Sequence, residues 1–118
     1  MAGWRHYRAV ALDLDGTIAF GGPPEDRVLA AIAGARAVGV RMVLVTGRIL
    51  TELEADFPGL TTHFDAVCAE NGAVLSMSGG IRLLARPVDR RLEKRLLDAG
   101  VPVRAGEVLL ACDASAAH

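Results

Sequence analysis

Short apolar runs alternate with longer segments of helical spacing in the first part of the chain. Residues 9–12 are four apolar side chains in a row that stop at an acidic loop, as a buried parallel strand does. Residues 24–38 then carry apolar side chains at helical spacing, and Gly39 favours the end of a helix. The same order recurs and gives five predicted elements: strands at 9–12, 40–45 and 65–69, and helices at 24–38 and 49–57.

The pattern changes near Gly72. Residues 73–77 and 81–85 are short apolar segments on either side of a Ser-Gly-Gly sequence, which predicts a hairpin. Residues 88–99 have helical spacing and residues 108–112 form a last apolar run, which predicts a helix and then a strand. The apolar face of that helix consists of Leu92, Leu96 and Leu97.

The order strand, helix, strand, helix, strand indicates a fold class. Right-handed crossovers between such strands build a parallel sheet that is flanked by helices. We therefore predict an α/β fold, a Rossmann-like parallel sheet with flanking helices, followed by a hairpin and a further helix and strand.

Composition and charge narrow the class of protein. The chain has 118 residues, the size of one domain, and a formal net charge of −1, which gives no overall attraction for nucleic acid or an anionic membrane. No apolar stretch approaches the roughly 20 residues that span a bilayer, and no signal sequence is recognisable, so we expect a cytoplasmic protein. Cys68 and Cys112 lie at or near the ends of apolar runs, which predicts buried thiols.

Polar groups follow each of the three predicted parallel strands. Asp13 and Asp15 follow the first strand, Thr46 and Gly47 follow the second, and Glu70-Asn71-Gly72 follows the third. Ligands of open parallel sheets bind beyond the carboxyl ends of the strands. Residues that are far apart in sequence are therefore expected to converge on one edge of the sheet.

The two aspartates point to a metal site. Carboxylates separated by a single residue repel each other unless a cation lies between them. A hard divalent cation with oxygen ligands fits this pair, and Mg²⁺ is the usual one with phosphates. The alternative is that Asp15-Gly16 only forms a turn, since both residue types favour turns.

The other two motifs have a functional and a structural interpretation each. A hydroxyl and backbone N–H groups at Thr46-Gly47-Arg48, before a helix, suit a phosphate, but Thr46 could instead only cap that helix. Asn71-Gly72 is the strongest short signal for a hairpin turn, so a purely structural role is open there.

Taken together, the motifs Asp-Leu-Asp-Gly-Thr, Val-Thr-Gly-Arg and Glu-Asn-Gly-Ala closely resemble those of the haloacid dehalogenase-like superfamily. The resemblance covers roughly residues 10–75. The short segment between Thr17 and Pro24 leaves no room for an early cap, so the chain is similar to the branch with a late-inserted (type IIB) cap. The resemblance implies that residues 1–80 are the N-terminal part of the core and that 81–118 begin a cap-like α+β segment.

The resemblance also implies roles for the acidic pair. Asp13 would be the nucleophile that forms an aspartyl-phosphate, and Asp15 would be the general acid and then the general base. Mg²⁺ would be held by the Asp13 carboxylate and the backbone carbonyl of Asp15. The implied reaction is Mg²⁺-dependent hydrolysis of a small phosphorylated metabolite.

The remaining motif residues would contact the substrate. The resemblance implies that Thr46 and the N–H of Gly47 bind the phosphoryl oxygens and that Asn71 lies near the mouth of the site. Arg48 would either steady this loop or bind an anionic substrate.

Two later motifs of the superfamily, a lysine and an acidic pair, have no match in this chain. The only lysine, Lys94, lies in a charged helical segment, and Asp113 follows an apolar run but lacks a second acid. We therefore expect the chain to be the N-terminal part only. An apolar edge at the truncated end would then favour self-association.

The sequence is compatible with some other functions and disfavours others. A phosphotransferase or phosphomutase of the same superfamily uses the same intermediate, and a non-catalytic phosphate- or Mg²⁺-binding domain is a further alternative. A receiver-like signalling module is disfavoured because the strand at 40–45 ends in Thr46 where such a module has its aspartate. A dinucleotide site is disfavoured because no Gly-x-Gly-x-x-Gly follows the first strand.

Overall fold

A computed structural model describes residues 8–112 of the chain. Its helices and strands, in chain order, are β1 (Ala9–Asp13), α1 (Asp26–Ala37), β2 (Arg41–Val45), α2 (Leu50–Asp56), β3 (Ala66–Ala69), β4 (Val74–Met77), β5 (Gly80–Leu83), α3 (Arg90–Asp98), β6 (Arg104–Ala105) and β7 (Leu110–Ala111). Two short 3₁₀ turns, Leu60–His63 and Glu70–Gly72, precede and follow β3.

The main sheet has five strands in the order β1-β2-β3-β4-β5. The first three strands are parallel, with Leu12 opposite Leu44 and Leu44 opposite Val67. Strands β4 and β5 are antiparallel additions at the β3 edge. The sheet is therefore mixed, and the predicted α/β fold with flanking helices and a following hairpin is confirmed.

Both α1 and α2 pack on the same face of this sheet. Two right-handed crossovers that run in the same direction across a sheet leave their helices on one side. Ile32 of α1 and Leu53 of α2 are buried there, in contact with a core that includes these strand residues: Val10, Leu12, Met42, Leu44 and Val67. None of the helices in the described residues is long and apolar enough to cross a membrane.

The opposite face of the sheet carries apolar side chains that no helix among residues 8–112 covers. Strand pairing places directly opposed residues on the same face. This open sheet face consists of Val43, Val45, Cys68, Leu75 and Met77. Val45 and Met77 are 37% and 54% exposed. Apolar side chains of the kind found in protein cores are therefore in contact with solvent on this face. The outer edge of β1 likewise has no strand partner in the described part of the chain.

The elements after β5 differ in part from the prediction. The predicted helix is present as α3, but Leu92 and Leu97 on its apolar face are about half exposed. The strand predicted at 108–112 is reduced to Leu110–Ala111, and its partner β6 was not predicted. Val108 and Leu109 cannot extend the strand because their N–H groups bind a side chain, described below.

The thiols are less buried than predicted. Cys68 is half-buried on the open sheet face, and Cys112 is exposed, so the prediction of a buried thiol is wrong for Cys112. The apolar run that suggested burial there ends in the two-stranded ribbon of β6 and β7, and Cys112 follows the last strand.

Candidate active site

The acidic pair lies where β1 ends. Asp13 is the last residue of β1 and is opposite Val45, the last residue of β2. Leu14 is completely buried between the two exposed aspartates. The N–H groups of residues 17–19 all bind the carbonyl oxygen of Leu14, so the chain turns sharply just beyond Asp15. The burial of Leu14 therefore holds both carboxylates at the solvent-facing end of the sheet.

Thr46 follows β2 directly and is almost entirely buried. Its N–H donates to the carbonyl oxygen of Cys68 at 2.9 Å, which continues the pairing of β2 with β3. Its hydroxyl oxygen accepts from the N–H of Arg48 at 3.1 Å. The hydroxyl thus shapes the turn at 46–48, and α2 itself has no side-chain cap. Since the oxygen is the acceptor, the hydroxyl hydrogen is left to donate to a ligand.

Asn71 meets this loop from β3. Its N–H donates to the carbonyl oxygen of Thr46 at 3.2 Å, and the N–H of Glu70 donates to that of Arg48 at 3.0 Å. A Cβ placed on Gly47 would lie 2.7 Å from Oδ1 of Asn71, so the two loops touch there and a larger residue at position 47 would displace the Asn71 side chain. Residues 46–48 and 70–71 therefore form one unit, which we call the double loop.

The turn at Glu70–Gly72 also connects β3 to its antiparallel neighbour β4. Glu70 and Asn71 both have positive φ, 53° and 59°, which is uncommon for residues other than glycine. The structural interpretation of Asn71-Gly72 thus holds, and the same turn places Asn71 against Gly47.

Arg48 contacts one member of the acidic pair, Asp15. Its Nε and Nη2 donate to the two carboxylate oxygens of Asp15, each at 2.9 Å, and its Nη1 donates to Asp56 at 2.9 Å. The guanidinium also lies 4.9 Å from the ring centre of Phe57. The side-chain hydrogen bonds from Arg48, and then its charge, hold the pKa of Asp15 below its usual range. These contacts join the loop at 46–48 to the loop after β1 and to the end of α2.

The sequence did not predict the role of Glu70 at this site. Its carboxylate is buried and accepts hydrogen bonds from the N–H groups of residues 107–109, at 2.9–3.1 Å. Burial raises the pKa of Glu70, but these bonds and one from the N–H of Leu50 outweigh it and leave the pKa below its usual range. The available signal was an acidic residue directly after the apolar run Ala66–Ala69.

The oxygen donors near Asp13 fit a magnesium ion only with help from a substrate. The described residues contain no group of three or more acidic, His or Cys side chains that could hold a metal. Mg²⁺ usually keeps several waters and binds one or two carboxylates plus substrate phosphates. The Asp15 carboxylate is already bound to Arg48. The Asp13 carboxylate and the backbone carbonyl of Asp15 are therefore the two protein ligands available here, and a set this small suits Mg²⁺ with a bound phosphate.

The sequence offered two weak candidates for the later motifs, Lys94 and Asp113. Lys94 is exposed on α3, next to other charged residues. Asp113 lies outside the described residues.

A family model described as haloacid dehalogenase-like hydrolase matches residues 10–114. The chain belongs to this family. The expected family is thereby confirmed, and the match covers the acidic pair and both parts of the double loop.

Solved structures of other proteins share the fold of this chain. A hypothetical protein from Geobacillus kaustophilus has a TM-score of 0.67 at 20% identity, over 88% of this chain and 42% of its own. A haloacid dehalogenase-like hydrolase from B. subtilis has a TM-score of 0.57 at 26% identity, over 78% and 32%. The subclass IIB sugar phosphatase BT4131 has a TM-score of 0.59 at 20% identity, over 87% and 42%.

The chain thus spans less than half the length of these three structures. None of the curated proteins matches the chain.

Proposed function

We propose that this haloacid dehalogenase-like chain carries the nucleophile, acid/base and phosphate loop of a Mg²⁺-dependent phosphohydrolase that acts on a small phosphorylated metabolite. One observation carries the proposal: the acidic pair and the double loop lie together at the carboxyl ends of β1, β2 and β3. This is the edge at which open α/β sheets bind ligands.

In the proposed first step a carboxylate oxygen of Asp13 bonds to phosphorus while the bond from phosphorus to the leaving oxygen breaks. Asp15 gives its proton to that oxygen. In the second step water attacks the aspartyl-phosphate, Asp15 takes a proton from the water, and Asp13 is regenerated. Mg²⁺, held by the Asp13 carboxylate and the Asp15 carbonyl, would offset the negative charge of the phosphoryl group.

The double loop would bind the phosphoryl oxygens. The free hydroxyl hydrogen of Thr46 and the N–H of Gly47 are the donors, and Asn71 adds an exposed amide beside them. Donors that are fixed before the substrate arrives stabilise the transition state most effectively. The hydrogen bonds that join residues 46–48 to residues 70–71 provide this fixation.

The ion pair with Arg48 sets a condition on the first step. A general acid must carry a proton, whereas Arg48 stabilises the ionised form of Asp15. A phosphorylated substrate offers Arg48 another anion. We therefore propose that substrate binding draws Arg48 away from Asp15 and allows Asp15 to take up the proton that the leaving group needs.

We further propose that residues 1–80 belong to the catalytic core and that residues 81–118 begin a cap, as the sequence suggested. We propose as well that the complete protein is an active phosphohydrolase and that it is cytoplasmic.

The test is hydrolysis of p-nitrophenyl phosphate with and without Mg²⁺, by the 118-residue chain and by a longer version that includes the later motifs. We expect activity that depends on Mg²⁺, is higher in the longer version, and falls to background in Asp13→Asn. Asp26→Asn, an exposed acid at the start of α1, is the matched control and should keep full activity. Unchanged activity in Asp13→Asn would contradict the proposal, and transfer to an added alcohol would identify a phosphotransferase.

A further inference from the structure

Glu70 is the one charged residue that is buried among residues 8–112, with 1% of its surface exposed. No cationic side chain in the described part of the chain forms an ion pair with it. Backbone N–H groups take that role: Oε1 accepts from Val108 and Leu109, and Oε2 accepts from Glu107. A buried charge is tolerated only when such bonds replace water.

The segment that supplies these bonds is the turn between β6 and β7, residues 106–109, which we call the anchor turn. A Cβ placed on Gly106 would lie 2.5 Å from Cδ of Glu70, so the turn closes around the carboxylate as tightly as glycine allows. Val108, in the middle of the turn, is buried in the main core. The anchor turn therefore contacts the core through Glu70 and Val108 together.

The backbone of the same residue contacts the double loop. The N–H of Glu70 binds the carbonyl oxygen of Arg48, and its positive φ turns the chain so that Asn71 reaches Gly47. A conformation this uncommon persists only where the surroundings determine it. Here the surroundings fix the buried side chain of Glu70 through its hydrogen bonds.

We propose that Glu70 is a positioning residue that couples the anchor turn to the double loop. With the carboxylate fixed by the anchor turn, the backbone at residues 70–71 has one orientation, and Asn71 and Gly47 keep their contact. When those bonds are lost, Glu70 is free to leave the left-handed region and the double loop loses its shape. The identity of the double loop as a phosphate site rests on the proposed function; the coupling itself does not.

The test changes the anchor turn and observes the double loop. In Gly106→Ala the added methyl group displaces the turn from the carboxylate, and no residue of the double loop is altered. Gly79→Ala, in the exposed β4–β5 turn where an added Cβ meets nothing within 4 Å, is the matched control. Glu70→Gln keeps the size of the side chain but replaces one acceptor by a donor, and it carries the same test if Gly106→Ala does not fold.

Amide NMR signals of the ¹⁵N-labelled 118-residue chain are the first measurement. We expect Gly106→Ala and Glu70→Gln to move the signals of Gly47 and Asn71 and to speed hydrogen exchange in the anchor turn, and Gly79→Ala to do neither. Signals of Gly47 and Asn71 that stay as in the control, in a variant whose anchor turn has exchanged faster, would overturn the coupling. Glu70 would then only stabilise the fold.

Binding of inorganic phosphate in the presence of Mg²⁺ is the second measurement. We expect the two variants to bind about tenfold more weakly than the unaltered chain, the size of effect typical for residues that orient ligand-binding groups. Failure of the unaltered chain to bind phosphate would contradict the proposed function and leave the NMR test of the coupling in force.

Discussion

Arg48 and Asp15 are joined by two parallel hydrogen bonds of 2.9 Å, one from Nε and one from Nη2 of the guanidinium. This fork matches the carboxylate geometry that only arginine can satisfy in this way. Because Asp15 is half exposed, the pair contributes little to stability, at most about 1 kcal/mol. The main effect of the pair is that it lowers the pKa of Asp15.

We expect Arg48→Met to raise the pKa of Asp15 toward the ordinary aspartate range, since both the hydrogen bonds and the nearby charge are removed. The methionine keeps an apolar stem against Phe57. A pH titration of the Asp15 carboxyl carbon by ¹³C NMR measures the change. Arg48→Lys, which keeps the charge and loses the fork, should give an intermediate pKa.

The matched control is Arg36→Met, which removes an arginine that binds a different aspartate, Asp65. It should leave the titration of Asp15 unchanged. A pKa of Asp15 that is the same with arginine or methionine at position 48 would show that the ion pair does not form in solution.

Removal of the Glu70 charge is expected to lower the free energy of unfolding. Glu70→Gln leaves at least one buried N–H group without an acceptor, which costs about 1–3 kcal/mol. Urea unfolding at neutral pH measures the difference. Glu54→Gln, on the exposed side of α2, is the control and should change the free energy of unfolding by less than about 0.5 kcal/mol.

The same variant has a defined pH dependence. Because folding lowers the pKa of Glu70, its carboxylate stabilises the fold above the ordinary glutamate range, and this contribution is lost as pH falls through the lowered pKa. The difference between wild type and Glu70→Gln should therefore be full at pH 7 and shrink below about pH 4. A difference that grows toward acid pH would have the wrong sign for a buried, hydrogen-bonded carboxylate.

Gly47→Ala is expected to separate the two parts of the double loop. The new methyl group would lie 2.7 Å from Oδ1 of Asn71, and this amide is exposed and can move away. Phosphate affinity should then fall about tenfold or more, while the free energy of unfolding changes by about 1 kcal/mol.

A double-mutant cycle tests directly whether the new methyl group at position 47 clashes with Asn71. Asn71→Gly removes the amide and suits the positive φ of that position. In that background Gly47→Ala should no longer change the free energy of unfolding, so the two effects are not additive. Fully additive effects would mean that the two residues do not touch.

The open sheet face predicts that the 118-residue chain associates with itself. Val43 and Met77 lie in one row across this face. Replacing both by lysine should shift the sedimentation of concentrated samples toward the monomer. Val38→Lys changes a more exposed valine at the end of α1 and should leave association unchanged. A monomer at high concentration in the unaltered chain would contradict the prediction.

The parallel part of the fold and the location of the site could be predicted because the apolar runs are clear. Residues 9–12, 40–45 and 65–69 end at polar groups, and parallel pairing brings strand ends together whatever the details of packing. The predicted bounds differ from the structure by one or two residues, as expected for elements whose ends depend on local hydrogen bonds.

The part that could not be predicted depends on contacts between distant residues. The run at 108–112 has the composition of a strand, yet the N–H groups of Val108 and Leu109 bind Glu70. A donor that lies nearly forty residues from its acceptor leaves no local pattern in the sequence. The pair of hydrogen bonds from Arg48 to Asp15 is of the same kind, since the two residues are 33 positions apart and the sequence between them carries no sign of the pairing.

The distance along the chain between Glu70 and the anchor turn has a consequence for the order of folding. Strands β1 to β3 can form their parallel pairs once residue 72 has emerged, because both partners of each parallel pair are then present. The carboxylate of Glu70 finds its donors only when residues 107–109 emerge, 37 to 39 positions later. We therefore expect the parallel strands to pair first during synthesis, and the ligand-binding edge to take its final shape only when residues 107–109 have emerged.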